Sequence, residues 1–210
     1  DISFSLPKGE IIGLFGPNGC GKSTLMKILT GLIHDYKGSV LINGNAPGDK
    51  TKAITAYLPE QTFIHDWMRN IDAIDYFNDF FKDFDKNKAL EMLKRFSLPE
   101  KQKCKTMSKG MQEKLLLSLT MSREAGLYIL DEPMGGVDPA TRESILKFIM
   151  NNYTEKSTML ISTHLINDVE RIFDRVLMIS KGEVVVNSHI DEIKEKGKTV
   201  EEVFKEDFND

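Results

Sequence analysis

The stretch Gly16-Pro17-Asn18-Gly19-Cys20-Gly21-Lys22-Ser23-Thr24 spells a loop suited to holding phosphate, in the pattern G-x-x-x-x-G-K-[ST]. Glycines let a backbone wrap an anion with its N–H groups turned inward. Lys22 supplies a cation for the β- and γ-phosphates of a nucleotide, and Ser23 a hydroxyl for magnesium. A Gly-rich turn can spell such a pattern by chance, but here the flanks agree. The apolar run Ile11-Ile12-Gly13-Leu14-Phe15 reads as a strand leading in, and Leu25-Met26-Lys27-Ile28-Leu29 as a helix leading out. That helix aims the positive end of its dipole at the same anion.

A second group of reactive side chains follows Leu127-Tyr128-Ile129-Leu130, a short buried-strand pattern ending in Asp131-Glu132-Pro133. Asp131 is placed to hold magnesium with Ser23, and Glu132 to polarise a water toward the γ-phosphate. An Asp-Glu pair alone is an ordinary solvated turn; Pro133 and the turn Gly135-Gly136-Val137-Asp138 make that reading weak. Ser108 begins Ser108-Lys109-Gly110-Met111-Gln112 and reads as the N-cap of a helix running through Leu115, Leu116 and Leu119. After the apolar strand Met159-Leu160-Ile161 comes Ser162-Thr163-His164.

In this order, the motifs resemble the nucleotide-binding subunits of ATP-binding-cassette (ABC) transporters, whose signature is typically L-S-G-G-Q. The resemblance covers essentially the whole chain. Tyr57-Leu58-Pro59-Glu60, the form Ser108-Lys109-Gly110-Met111, and Gly136-Val137-Asp138-Pro139 look most like the Gram-positive multidrug and antibiotic exporter type. The resemblance implies an α/β fold: a P-loop NTPase core with a mainly parallel central sheet, a small antiparallel β subdomain and a helical insert. It implies an ATP- and magnesium-dependent ATPase that dimerises head to tail around two ATP molecules, with either an identical or a different cassette. Membrane permease subunits would then be driven from the cytoplasmic face of the membrane. Carried over by position, Gly16, Pro17, Asn18, Gly19, Cys20, Gly21, Lys22, Ser23 and Thr24 hold nucleotide, and Ser108 and Gly110 meet the opposite one. Glu132 is the general base, His164 contacts the γ-phosphate, Lys22 supports catalysis, and Asp138 couples the two sites. Ser23 and Asp131 hold the metal, joined by Glu60 or Gln61.

The departures from the family pattern are specific. Lys109 and Met111 replace a Gly and the Gln of the signature, and Lys109 reads as a solvated side chain. Glu60-Gln61 stands where the metal-contacting Gln is usual, so both residues remain candidates. The adenine-stacking aromatic, expected before the first strand, is not in this sequence. The chain opens inside the alternating run Ile2-Ser3-Phe4-Ser5-Leu6, read as a strand whose upstream part is missing.

Organisation follows from these anchors. Residues 1–58 and 106–188 are expected to form the α/β core, 59–105 a helical subdomain, and 189–210 a charged helical tail. In 59–105, Ile71, Ile74, Phe77 and Phe81, then Ala89, Met92, Leu93 and Phe96, recur at helical spacing. Most aromatics there are expected in the core, a minority at an interface with the membrane partner. Lys181-Gly182, between two β-rich runs, reads as a hairpin turn.

Composition sets limits. A chain of 210 residues with 40% hydrophobic and 29% charged residues reads as globular. A formal net charge of −4 speaks against a nucleic-acid partner. Cys20 and Cys104 lack metal-binding spacing, which favours reduced thiols in a cytoplasmic setting, and Cys104, in a polar stretch, reads as reactive. A soluble ABC ATPase serving translation or DNA maintenance is the alternative. It is disfavoured because no coiled-coil insertion separates Lys22 from Ser108 and only one cassette is present. A P-loop kinase or GTPase leaves Ser108-Lys109-Gly110 and His164 unexplained.

Overall fold

The structure is a computed structural model that describes residues 2–166 and 170–208. Its sheet has six strands: β1 (Ile11–Phe15), β2 (Thr55–Leu58), β3 (Leu127–Asp131), β4 (Thr158–Ser162), β5 (Arg175–Ser180) and β6 (Glu183–His189). Their order across the sheet is β2-β3-β4-β1-β5-β6. The first five run parallel, and β6 returns antiparallel from β5 through the Lys181-Gly182 turn. Parallel strands with near-continuous apolar sequence belong in a sheet covered on both faces. One face packs Ile12, Leu14, Ile129 and Leu160 against Met26 of α1 (Lys22–Leu29). The other carries the larger core, including Leu130 and Ile161 with Leu115, Leu119, Ile145 and Ile149. The last four lie on α5 (Lys109–Met121) and α6 (Pro139–Asn152).

Between β2 and α5 stand α3 (Asn70–Phe80) and α4 (Lys86–Arg95); α2 (Asp49–Lys52) precedes β2. Asp85 caps α4 by accepting the Lys88 amide at 2.9 Å. Ile74, Phe77, Ala89, Met92 and Leu93 are buried at the spacing their sequence foretold. Phe63, Trp67, Tyr76 and Phe80 are exposed, more surface aromatic area than expected. Arg123, just past α5, is buried and ties this insert down. Its Nε and Nη2 donate to the two Asp83 carboxylate oxygens at 3.0 Å each, its Nη1 donates to the Thr55 carbonyl at 2.7 Å, and its guanidinium lies 4.1 Å from the Phe81 ring centroid. The tail comprises α7 (Ile190–Glu195) and α8 (Val200–Phe208).

Residues 2–6 depart from the strand reading: no ladder forms there among the described residues. The alternation nevertheless sorts the faces, with Phe4 and Leu6 packed on the core and Ser3 and Ser5 exposed. Antiparallel structure among the described residues is confined to the β5–β6 hairpin and isolated bridges such as Ile42 with Asn45. Among the described residues, no helix is long and apolar enough to cross a membrane.

Candidate functional site

Parallel pairing brings the carboxyl ends of β1, β3 and β4 to one edge, and the reactive residues collect there. The loop 16–24 leaves β1 at that edge and runs into α1. Gly19 and Gly21 have φ of 79° and 105°, the left-handed region, and open space where a side chain would stand. A Cβ at Gly16 would sit 2.3 Å from the Ile179 carbonyl oxygen, so only glycine lets the loop pass β5 so closely. Among the described residues, no protein acceptor takes the amide protons of Gly19, Gly21, Lys22 or Ser23. Unpaired amides at a helix N-terminus fit a phosphate. Lys22 Nζ donates to the carbonyls of Gly16 (2.7 Å) and Pro17 (3.1 Å), which keeps the ammonium at the mouth of the loop. Pro17, Asn18 and Thr24 are exposed on the same turn, and Cys20 and Ser23 are half-buried.

Asp131 is buried at the end of β3, in register with Ser162 of β4. Ser162 Oγ donates to Asp131 Oδ1 at 2.5 Å and accepts the Glu132 amide at 3.0 Å. Ser162 thus orders both acidic residues, a role its sequence motif did not disclose. Glu132 takes a φ of 50°, unusual for a residue with a side chain and a form of strain that gathers at functional sites. Its carboxylate lies 3.0 Å from His164 Nδ1. Burial pushes the Glu132 carboxyl above the usual carboxylate range, against the pull of His164 and Lys22. The edge therefore joins an anion cradle, an acidic pair of which Asp131 is buried and Glu132 half-buried, and an imidazole. Such a set can bind a triphosphate and deprotonate a water.

Glu60 and Gln61 follow β2 at the same edge, and both are exposed. Tyr57, within β2, is held neutral, its pKa pushed up to about 12 by burial and by the charges of Asp131 and Glu60. Its hydroxyl is buried with no hydrogen-bond partner among the described residues, an orphan facing the acidic site. Asp138, exposed, caps α6 by accepting from the Thr141 amide (3.0 Å) and hydroxyl (2.7 Å). Ser108 caps α5, accepting the Met111 amide at 3.3 Å, and Gly110 sits against Thr141. No phosphate-binding residue of this chain faces Ser108 by any hydrogen bond among the described residues. Cys104, contrary to expectation, is buried, and burial raises its thiol pKa.

Residues 1–135 match the ABC transporter family profile. The chain belongs to the ABC transporter family. It is 30% identical over its whole length to the ABC transporter ATP-binding protein YtrB of Bacillus subtilis, spanning 73% of that protein. It is 31% identical over 97% of its length to the SkfA peptide export ATP-binding protein SkfE of the same organism, spanning 88% of it. Among solved structures, the ATP-binding subunit of an ABC transporter superposes with a TM-score of 0.86 at 26% identity, covering 98% of this chain and 91% of that one. The chain is thus an ABC ATPase subunit: it binds and hydrolyses ATP as the motor component of a transporter.

Proposed function

We propose that this ABC subunit hydrolyses ATP at the sheet edge with Glu132 as general base, and that two cassettes sandwich the nucleotides to drive an exporter. The observation carrying the reading is the Glu132 carboxylate, half-buried, 3.0 Å from His164 and within the field of Lys22. Water attacks the γ-phosphorus, its proton passes to Glu132, and the bond to the β-phosphate oxygen breaks to leave ADP. A carboxylate whose proton affinity is raised is the stronger base for that transfer. His164 holds Glu132 in place from the solvent side and contacts the γ-phosphate, and Lys22 leaves its loop carbonyls to pair with phosphate oxygens. Ser23 and Asp131, with Glu60 or Gln61, would hold magnesium, which supplies charge neutralisation on the phosphates.

Ser108 and Gly110, at a helix start that no acidic side chain bonds among the described residues, offer the second half of a shared site, and Asp138 lies in the loop linking the two. Permease contact at the cytoplasmic face is assigned to the exposed aromatic edge of Phe63, Trp67, Tyr76 and Phe80, where Tyr76 and Phe80 stack at 4.4 Å. Similarity to SkfE, named for peptide export, supports the outward direction. For the domain plan, we assign 1–58 and 106–188 to the core, 59–105 to the helical subdomain and 189–210 to the tail.

The decisive experiment is Glu132→Gln. It should retain ATP binding, lose about 10²–10⁴-fold in turnover, and accumulate an ATP-bound dimer on size exclusion. Turnover at the wild-type rate would remove Glu132 from the role of base.

A further inference from the structure

Lys109 is exposed, as its sequence suggests, and the outer half of its side chain lies beside the loop that follows β3. A side chain added at Gly136 would place its Cβ 2.6 Å from Lys109 Nζ, 3.3 Å from its Cε and 3.5 Å from its Cδ. The outer half of the exposed lysine therefore lies along the backbone of Gly136. That residue has a φ of 69°, the left-handed region, and stands exposed in the loop after β3. Without a covering side chain, nothing of its own shields it.

Two further contacts join the same elements. Gly110 meets Thr141 across a gap where a Cβ would lie 3.2 Å from Cγ2 and 3.4 Å from Oγ1, and Thr141 holds Asp138 through both its amide and its hydroxyl. On the other side, the Gly135 amide donates to the Glu132 carbonyl at 2.9 Å, folding the loop tightly from the base toward Gly136. Glu113, one turn along α5 and buried, draws Lys109 electrostatically, so the lysine is held between a carboxylate on its own helix and the loop it covers.

We propose that Lys109 is a positioning residue for hydrolysis: its stem, laid over Gly136, fixes the loop Glu132–Asp138 of its own chain against the start of α5. Displacement at Ser108 is thereby transmitted to Glu132 through the Lys109 side chain and the backbone of Gly136 and Gly135. This rests on the assignment of Glu132 as base. Nζ lies nearest Gly136 with Cε and Cδ behind it, and what the inference asks of them is reach and bulk along the loop rather than charge. A misplaced base costs rate without weakening nucleotide binding.

The test compares Lys109→Ala, which removes the cover, with Lys109→Met, which keeps an unbranched stem without charge, in the full chain. Lys109→Ala should lower kcat about 3- to 30-fold with KM for ATP unchanged, and Lys109→Met should recover most of the loss. Without nucleotide, amide hydrogen exchange over residues 132–138 should quicken in Lys109→Ala and return toward wild type in Lys109→Met. Unchanged kcat and exchange in Lys109→Ala would overturn the inference. A raised KM at unchanged kcat would overturn it too, placing Lys109 on the nucleotide itself. So would rescue by Lys109→Arg but not by Lys109→Met. Glu132→Gln measured alongside separates the layers: if it turns over normally, the base assignment falls and this inference with it. If it is inactive while Lys109→Ala behaves as wild type, only the inference about Lys109 fails.

Discussion

At the carboxyl edge of the sheet, reactive side chains are placed by strand ends and by the register of neighbouring parallel strands. In the α3–α4 insert, placement depends instead on Arg123, whose partners Thr55 and Asp83 lie 68 and 40 residues away in sequence. The edge tolerates strain, with Glu132 at a φ of 50° and amides left unpaired at the start of α1. The insert is held by a charged fork that also stacks on Phe81, together with the apolar cluster it shares with α5 and α6. The contrast teaches that the site is placed by strand register, whereas the insert is placed by long-range contacts: the Arg123 fork, backbone bonds such as the Asp85 amide to the Ser122 carbonyl, and an apolar cluster shared with α5 and α6.

Arg123→Ala should break that fork and produce the largest effect on stability. It strips the buried guanidinium from Asp83 and leaves the Thr55 carbonyl without its donor. Losing one partner of a buried pair costs about 3–5 kcal/mol; Asp83 retains some water, so about 3 kcal/mol is expected. For a chain of this size that lowers Tm by roughly 6–12 °C. Arg123→Lys should recover little, because an ammonium cannot supply the fork or the stacking. Nucleotide affinity at 16–24 should change far less than Tm. A Tm unchanged by Arg123→Ala would show that the insert is held by its apolar contacts alone.

Legibility in the sequence divides along the same line. The loop 16–24, Asp131-Glu132 and the helix after Ser108 are local patterns, and their backbone demands are met within a few residues. The partnership of Ser162 with Asp131 needs the β3–β4 register, which no local pattern encodes. Arg123 was invisible because a single arginine at a helix end carries no sign of distant carbonyls. The alternation at Ile2–Leu6 foretold which side chains face the core but not a ladder, since period two specifies faces and not pairing. Lys109 is exposed as its sequence suggests, and only its nearness to the loop after β3 had no local sign.

The two cysteines sharpen the comparison, one on each region. Cys20 sits half-buried in the phosphate loop, and Cys104 is buried beneath the insert with its thiol pKa raised by burial. A maleimide should label Cys20 readily and lose that reaction when ATP covers the loop. Cys104 should label slowly whether or not ATP is present, because only opening of the insert exposes it. Arg123→Ala should then accelerate Cys104 and leave Cys20 unaffected, read by mass spectrometry of the labelled peptides. Equal labelling of Cys20 with and without ATP would separate the loop from the nucleotide.

The smallest effect belongs to α5, the helix common to both regions. Burial raises the Glu113 carboxyl to about 7, with Lys109 opposing. The folded chain therefore holds this proton more tightly than the unfolded one, whose carboxyl titrates near the ordinary value of about 4.3. Between these values the native state binds more protons than the unfolded state, so stability falls as pH rises, and above about 7 the loss is complete. Glu113→Gln removes the titration. It should match wild type near pH 4 and exceed it at pH 8 by on the order of 1 kcal/mol, once water reaching the carboxylate is allowed for. Lys109 offsets part of the cost, so in a Lys109→Ala background the gain from Glu113→Gln at pH 8 should grow. Denaturant midpoints of the four proteins at the two pH values measure this coupling. A gain that is the same at both pH values would mean that the amide improves packing, and that the Glu113 charge is not what costs stability.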